Sequence, residues 1–301
     1  MSPGRGALAL LGAAALLLVP DAQVAPAAVS LLAVESSTAV DFGDGTVHVL
    51  ALGSDSSGAD PRQGNADAIE LISLDFESGA VSAVGIPRDT LVDLEGHGEQ
   101  KINAGLILDG TDAMVREVKQ LTGVQVQYVV TAASPDFEAL VDAVGGRLRV
   151  HSDVAFDDPT YNLHVKVGDD NTFDGLQARG FAKARNFQGD DFARMGNQQE
   201  LLRAILDALR GREDQVGFIE SGALAALQHL DTNLSPQDLY RFAQAIGQLD
   251  PAQATSCVLT GPTRDVSING DVVNVVDLDT DYAKRVAKDA ADGVISEPCA
   301  P

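Results

Sequence analysis

The sequence predicts an α/β fold, an αβα sandwich in which one mixed central sheet carries helices on both faces. Residues Thr46 to Gly53 form an apolar run that ends on glycine, as a buried strand does. Two further apolar runs, Ala68 to Asp75 and Ala80 to Pro87, are joined by the turn sequence Phe76-Glu77-Ser78-Gly79, as in a hairpin. An amphipathic helix, Asp109 to Leu121, comes next. Such alternation of strands and helices is typical of a sheet covered by helices.

The following elements continue this alternation. Gly123 ends the helix, and Val126 to Thr131 is predicted to be a strand. Ser134-Pro135 then starts a helix, because serine caps helices and proline is tolerated in their first turn. Apolar residues recur in that helix at the spacing of one buried face, namely Phe137, Leu140, Val141 and Val144. Short strands are predicted at Arg147 to His151 and at Leu163 to Val167.

The C-terminal half adds more helices and strands to the same domain. Asp174 caps a helix that runs to about Arg185, and the loop Asn186 to Asp190 leads to a longer helix. The longer helix has one apolar face, formed by Leu201, Leu202, Ile205, Leu206 and Leu209. Helices at Pro236 to Leu249 and Thr280 to Ala291 bracket strands near Ser256 to Thr260 and Val272 to Asp277. Residues 46 to 301 are therefore predicted to form one domain, with core motifs in 46 to 209 and an extension in 210 to 301.

Composition and charge exclude one class of partner. The 301 residues suffice for a sizeable core, which aliphatic side chains must supply because aromatic residues make up 5% and tryptophan is absent. The 44 Asp+Glu outnumber the 21 Lys+Arg, so the net charge is −23. A field of that sign repels nucleic acid, which is not expected as a partner. Any polyanionic ligand must be bound by a local cluster of basic residues.

The N-terminal segment predicts export. Arg5 precedes an apolar run from Ala7 to Val19, which is shorter than the ~20 residues of a membrane-spanning helix. Small residues follow, as in a secretory signal. Residues 1 to 28 are predicted to be either a cleaved signal peptide or a retained membrane anchor, and both of these alternatives remain open. Residues 29 to 45 are predicted to be a linker. The domain is therefore expected outside the cytoplasm, secreted or anchored to the cytoplasmic membrane.

The chain has two cysteines, Cys257 and Cys299. In an oxidising compartment two such residues favour a disulfide, which in the loop-entropy model stabilises the fold by roughly 4 kcal/mol at most. Two free thiols in a cytoplasmic protein are the alternative. Export favours the disulfide.

Two aspartates define a candidate metal site. Asp55 follows the first strand, and Asp67 begins the next one. Ligands of an open α/β sheet bind at the carboxyl ends of its strands. Two carboxylates there can hold a hard cation such as Mg²⁺, which needs few protein ligands because it keeps several waters. Ordinary turn aspartates are the alternative.

Basic residues form two candidate anion sites. Arg88 lies where a strand ends and can hold phosphate oxygens in bidentate fashion. The alternative is a surface arginine that pairs only with Asp89. Lys101 follows shortly after in the sequence. A second group of four cations falls within sixteen residues: Arg179, Lys183, Arg185 and Arg194. These residues form either a diphosphate clamp or a solvated helix face whose charge Asp190 and Asp191 balance. On a regular helix Lys183 and Arg185 point roughly 200° apart, so Arg185 is expected to reach the site if only one of them does.

These motifs, in this order, resemble the LytR-CpsA-Psr family. The resemblance covers roughly Thr46 to Leu209. The sequence motifs of zinc hydrolases, serine hydrolases, Walker loops and dinucleotide-binding folds are absent. The similar stretches are Gly53 to Ser56, Asn65 to Ala68, Ile86 to Thr90, Lys101 to Ala104, Phe181 to Arg185 and Asp191 to Gln199.

The resemblance implies a phosphotransferase that attaches a polyprenyl-pyrophosphate-linked glycan to peptidoglycan at the membrane surface, with Mg²⁺ as cofactor. It implies that Asp55 and Asp67 bind the metal and that Asp55, Arg88 and Arg194 are catalytic. The substrate-binding residues that it implies are Arg88, Lys101, Lys183, Arg185, Arg194 and Gln198. Phosphoryl transfer needs positioning and charge neutralisation more than covalent chemistry from the protein, which suits these residues.

Several positions depart from the family pattern. Lys183 and Asn197 stand where the family has arginine, and Asn65 and Ala68 flank Asp67 in place of Arg and Thr. Lysine is a point charge where arginine is a planar fork. A non-catalytic member that binds prenyl phosphates or assists a partner transferase is therefore an alternative, and a secreted pyrophosphate hydrolase is another. The excess of arginine over lysine, with abundant alanine, favours a GC-rich, actinobacterial source.

Overall fold

The computed structural model describes residues 45–58, 60–185, 191–210, 218–246, 249–296 and 299. Its strands are β1 (Thr46–Ser54), β2 (Ala66–Asp75), β3 (Val81–Gly85), β4 (Leu91–Leu94), β5 (Gly98–Lys101), β6 (Tyr128–Ala133), β7 (Leu148–Ser152), β8 (Phe156–Asp158), β9 (Leu163–Val165), β10 (Gly168–Phe173), β11 (Asp231–Thr232), β12 (Ala254–Val258), β13 (Thr263–Ile268) and β14 (Asp271–Val276). Its helices are α1 (Ala104–Thr122), α2 (Ser134–Ala143), α3 (Gly175–Lys183), α4 (Asp191–Arg210), α5 (Phe218–His229), α6 (Pro236–Ile246) and α7 (Thr280–Asp289).

The central sheet has six strands in the order β11-β6-β1-β2-β3-β12. Strands β1, β2 and β3 pair antiparallel; a short turn joins β2 to β3, and the longer segment 55–65 joins β1 to β2. β6 runs parallel to β1, and β12 runs parallel to β3, because helices separate the strands of each of these pairs in sequence. The sheet is therefore mixed, which confirms the predicted class.

Helices cover both faces of this sheet. On one face α1 and α7 bury an aliphatic core with β1 and β2, in which Leu50, Ile69, Met114 and Val118 have no more than 1% of their surface exposed. On the other face α4 and α6 pack against a second cluster that contains Val49, Leu74, Leu206 and Phe242. The predicted αβα arrangement is thus confirmed.

A third cluster stands beside the sheet and supports the N-terminal half of α4. It joins α3 and α4 to the small sheets β7–β10 and β8–β9. Phe181 of α3 packs between Phe156 and Phe173, with ring centroids 6.2 and 5.3 Å away. Because aromatic rings bury large areas in a fixed geometry, this cluster fixes where α3 ends and α4 passes.

The main differences from the predicted elements have local causes. The helix predicted from Asp109 begins at Ala104, and Gly110 interrupts it with a φ of 77°, which breaks the helical periodicity that reveals such elements. The β4–β5 hairpin was not predicted, because β5 reads Gly-Glu-Gln-Lys and has no apolar alternation. Within the described residues, none of the helices combines the length and apolar character that a membrane crossing requires. The predicted signal or anchor, residues 1 to 28, lies outside the described residues, as does the loop Asn186 to Asp190.

Candidate functional site

The end of β1 and the start of β2 place two aspartates at one edge of the sheet. The backbone N–H of Asp55 donates to the Asn65 carbonyl (3.1 Å), and the Asp55 carboxylate accepts from the Asn65 N–H (2.8 Å). Asp67 lies two residues beyond Asn65. The Ser54 hydroxyl fixes the intervening loop by donating to the Pro61 carbonyl (2.6 Å). Asp55 is exposed and Asp67 is half-buried.

Arg88 connects three segments at this edge. Its guanidinium pairs with the carboxylate of Asp67, and its Nη2 lies 3.5 Å from Oδ1 of Asp191, the first residue of α4. Its carbonyl accepts from the N–H of Asn103, just before α1 (3.2 Å). Burial lowers the pKa of Arg88, but the neighbouring carboxylates outweigh burial and raise it, so the charge is held firmly.

Arg194 is the most buried cation of this cluster, with 3% of its surface exposed. Its Nε and Nη2 donate to the two carboxylate oxygens of Asp191 (3.0 and 2.8 Å), and its Nη1 donates to the Asp67 carbonyl (2.6 Å). Burial raises the pKa of Asp191, yet hydrogen bonds from Arg194 and the charges of Arg194, Arg88 and Arg185 lower it overall. Arg88 and Asp191 are therefore both charged at neutral pH.

The structure brings Lys183 and Arg185 to the same region because α3 ends between them. Lys183 is the last residue of α3, and Ala184 has an extended backbone with ψ of 129°. The irregular end lets exposed Lys183 line the cavity described below, while Nε of Arg185 lies 4.0 Å from Oδ1 of Asp191. Gln198 holds this end by donating to the Ala182 carbonyl (3.3 Å).

Two basic residues take other partners. Lys101, the last residue of β5, forms an ion pair with Asp89 (2.9 Å). Arg88 contacts Asp67 and Asp191, so it does not pair with Asp89 alone. Arg179 pairs with Glu138, and its guanidinium lies 5.2 Å over the Tyr161 ring. Arg179 also lines the cavity described below, where Glu138 and the Tyr161 ring hold its guanidinium.

An apolar cavity of about 550 Å³ begins at this cluster and runs between the sheet and helices α2, α4 and α6. Asp67, Lys183, Arg194 and Gln198 stand at its polar end. Its walls include Val49, Ile72, Val130, Leu202, Ile205 and Phe242. Ile72 and Val130 belong to central strands yet are only half-buried, because their side chains face this cavity instead of a packed neighbour.

Sequence reasoning missed three residues near the site. Asp191 was given no role beyond balancing a solvated face in one of two alternatives, although its place three residues before Arg194 allows the bidentate pair. Glu70 is buried in β2 with its side chain at the cavity wall, and Gln199 donates to it (3.2 Å). A glutamate inside an apolar strand sequence was the available signal.

The two cysteines form a disulfide, with their Cα atoms 5.8 Å apart. The bond ties β12, the edge strand of the sheet, to the C-terminal end of the described chain. The carbonyl of Cys257 also accepts a hydrogen bond from Gln199 of α4 (2.7 Å). The disulfide therefore holds a strand that forms part of the cavity wall.

Fold and site together define a class: an α/β sandwich with an arginine cluster at the mouth of a deep apolar cavity, which is suited to an amphiphile with an anionic head. The LytR_cpsA_psr family model matches residues 24–290. The chain belongs to the LytR-CpsA-Psr family.

Individual relatives agree with this membership. The chain is 29% identical over 197 residues to the polyisoprenyl-teichoic acid–peptidoglycan teichoic acid transferase TagU of Bacillus mycoides, covering 64% of this chain and 62% of that protein. The chain thus spans less than two thirds of that relative. The structure of TagT with bound octaprenyl pyrophosphate lipid superposes with a TM-score of 0.64 at 25% identity, covering 88% of this chain and all of that one. TagV of Bacillus subtilis shares the fold, with a TM-score of 0.70 at 22% identity over 82% of this chain and 98% of that one.

Proposed function

We propose that this protein is an extracytoplasmic phosphotransferase that attaches polyprenyl-pyrophosphate-linked glycopolymers to peptidoglycan at the membrane surface. The observation that carries the proposal is the continuity between the Arg88–Arg194 cluster and the apolar cavity. A polyprenyl pyrophosphate needs both features at once, because its head is a polyanion and its chain is a hydrocarbon. The name of the related transferase and the octaprenyl pyrophosphate in the related structure support this substrate class.

The charges of the site suit phosphoryl transfer. The prenyl chain lies in the cavity, and the pyrophosphate replaces carboxylates as the partner of Arg88 and meets Arg185 and Lys183 at the rim. The acceptor hydroxyl attacks the distal phosphorus, a phosphodiester forms, the bond to the lipid-linked phosphate breaks, and the hydroxyl proton passes to water. Polyprenyl phosphate leaves with the negative charge, which Arg194 and Arg88 stabilise from fixed positions. Gln198 acts from the polar end of the cavity by holding the end of α3, and Lys101 acts by pairing with Asp89, the residue after Arg88.

The two aspartates suit a magnesium ion, which we include in the proposal. One oxygen of Asp55 accepts the Asn65 N–H and one oxygen of Asp67 meets Arg88, which leaves a second oxygen on each for a metal. The described residues contain no group of three or more metal-binding side chains, so further ligands must be water and phosphate, as Mg²⁺ prefers. When bound, the ion would neutralise pyrophosphate charge. Asp55 and Asp67 would hold it.

A non-catalytic role in binding prenyl phosphates is the second candidate, and Asn197 favours it. Its side-chain amide is buried and donates to the carbonyls of Phe181 (3.2 Å) and Ala184 (3.4 Å). The Asn197 side chain thus holds the end of α3 at a position where the family has an arginine. Fewer cations weaken stabilisation of the transition state but still permit binding.

Turnover separates the two candidates. The full chain is incubated with a polyprenyl-pyrophosphate-linked oligosaccharide, Mg²⁺ and peptidoglycan fragments, and release of polyprenyl phosphate is measured. A transferase forms glycosylated peptidoglycan and free polyprenyl phosphate in equal amounts, and Arg194→Ala abolishes both. Free lipid phosphate without glycosylated product would indicate a hydrolase. Tight lipid binding without either product would indicate the binding protein.

A further inference from the structure

Glu70 is an unusual residue for a cavity that takes a hydrocarbon chain. It lies in β2 with 2% of its surface exposed, among the apolar residues of the cavity wall. One carboxyl oxygen accepts from Nε2 of Gln199 (3.2 Å), and the other, Oε1, is buried without a hydrogen-bond partner in the described part of the chain. A buried carboxylate with half of its acceptors unmet is costly, so its retention at this wall calls for a role.

Gln199 makes Glu70 part of a clamp. The same Gln199 amide donates to the Cys257 carbonyl (2.7 Å), so one side chain of α4 binds both β2 and β12. Gly85 of β3, between those strands, leaves the space for it. A side chain at Gly85 would come within 3.0 Å of the Gln199 amide and within 3.1 Å of Oε1 of Glu70.

The clamp stands close to the arginine of the anion site. Arg194 lies five residues before Gln199 on α4 and donates to the Asp67 carbonyl at the start of β2. Helix α4 is therefore attached to β2 at two points, Arg194–Asp67 and Gln199–Glu70. Changing the second contact changes how α4 sits on the sheet, and with it the position of Arg194.

The protonation state of Glu70 also bears on Arg194. Burial raises the pKa of Glu70 to about 8, although the Gln199 hydrogen bond and the charge of Arg194 lower it. Among the described residues, the charge that acts on Glu70 is that of Arg194; Gly85, Met195, Gln199 and the Cys257 carbonyl, which also lie near this contact, carry no charge. A protonated Glu70 leaves the Arg194 charge to an anionic ligand, whereas an ionised Glu70 competes for it.

Resting on the function proposed above, we propose that Glu70 is a positioning residue, which in its protonated form holds α4 through Gln199 so that Arg194 meets the lipid pyrophosphate. Glu70 does not react with the substrate. It sets the place and the available charge of a residue that does.

Three variants of the full chain test this role, with a short-chain polyprenyl pyrophosphate as the probe. Glu70→Gln keeps the shape and a carbonyl acceptor for Gln199 but cannot ionise. Glu70→Leu removes the acceptor. Glu117→Gln is the matched control, because Glu117 is also buried and burial also raises its pKa, but it lies in α1 on the opposite face of the sheet. The dissociation constant is measured from about pH 6 to about pH 10, and circular dichroism monitors the fold.

The expected result is a difference in pH profile. Above about pH 8 the affinity of the wild type falls by up to about tenfold per pH unit relative to Glu70→Gln, because ionised Glu70 withholds Arg194. Glu117→Gln follows the wild type, and Glu70→Leu binds more weakly throughout the range. Identical profiles for wild type and Glu70→Gln, or wild-type affinity in folded Glu70→Leu, would overturn the inference.

Arg194→Ala, measured in parallel, separates this inference from the proposed function. If Arg194→Ala binds the probe as well as the wild type does, the anion site itself is wrongly assigned. If Arg194→Ala loses affinity while both Glu70 variants keep the wild-type profile, the proposed function stands and the positioning role of Glu70 is wrong.

Discussion

The guanidinium of Arg194 donates a 2.6 Å hydrogen bond to the backbone carbonyl of Asp67, 127 residues earlier in the chain. The carboxylate of Asp67 meanwhile binds Arg88. One residue thus places two arginines, through its carbonyl and its side chain, at the mouth of the cavity. A protein of net charge −23 gathers its cations there against its own field.

Loss of either arginine should weaken binding of lipid pyrophosphate. For Arg88→Ala and Arg194→Ala we expect a loss of about 1.5–3 kcal/mol per charged contact, or about ten- to a hundredfold in dissociation constant. Calorimetry with a short-chain polyprenyl pyrophosphate measures it. Arg116→Ala, an exposed arginine on α1, is the control and should bind as the wild type does. If both variants fold and still bind the lipid as the wild type does, these arginines do not form the binding site for lipid pyrophosphate.

The sequence predicted much of the sheet for identifiable reasons. β1, β2 and β3 are apolar runs, and the turn between β2 and β3 ends at Gly79, whose φ is 77°. The polar β5 gave no periodic signal, so it was not predicted. Helix α5 was also not predicted.

The site was less accessible to sequence reasoning. The choice of Asp55, Arg88 and Arg194 came from motif order, because nothing local to these residues shows that they approach one another. Asp191 and Glu70 were missed since their roles depend on contacts with Arg194 and Gln199, which only the tertiary structure brings near. The assignment of Mg²⁺ to Asp55 and Asp67 stays a prediction.

Filling the cavity should exclude the prenyl chain but not the anion. Ala51 of β1 lines the cavity, and Ala51→Phe places a ring where the chain would lie. We expect at least about tenfold weaker binding of the polyprenyl pyrophosphate, because the buried apolar contact of the chain is lost. Inorganic pyrophosphate, which needs only the arginine cluster, should bind unchanged. Ala252→Phe, at an exposed alanine, is the matched control. Equal affinity of Ala51→Phe and wild type for the lipid would place the chain elsewhere.

The disulfide should contribute to stability. Cys257→Ser or Cys299→Ser opens a loop with a sequence separation of 42, which the loop-entropy model values at roughly 4 kcal/mol at most. Denaturant unfolding of the full chain measures the loss. The double variant Cys257→Ser/Cys299→Ser distinguishes the bond from a side effect of one unpaired thiol, since it should lose about as much as either single variant. Alkylation before reduction should label neither cysteine; two labelled thiols in the native protein would contradict the bond.

Glu70 should make the fold less stable as the pH rises, and removing its charge should reverse the effect. Its pKa rises from an ordinary 4.5 to about 8 on folding, so the folded protein binds the proton more tightly than the unfolded chain does. The resulting stability is complete below about pH 4.5 and is lost progressively as the pH rises to about 8.

Glu70→Gln has no such loss, so its stability relative to the wild type should grow from about zero near pH 4 to roughly 3 kcal/mol at pH 7. Urea unfolding at several pH values measures this difference in stability. Asp60→Asn serves as a comparison, because the pKa of Asp60 is lowered on folding and that of Glu70 is raised. A hydrogen bond from Arg62 lowers the pKa of exposed Asp60, so that substitution should remove a small stabilising contribution that is present at neutral pH. A Glu70→Gln curve parallel to the wild type from pH 4 to pH 8 would mean that Glu70 is already charged in the folded protein, and Gln199 would then donate to a carboxylate.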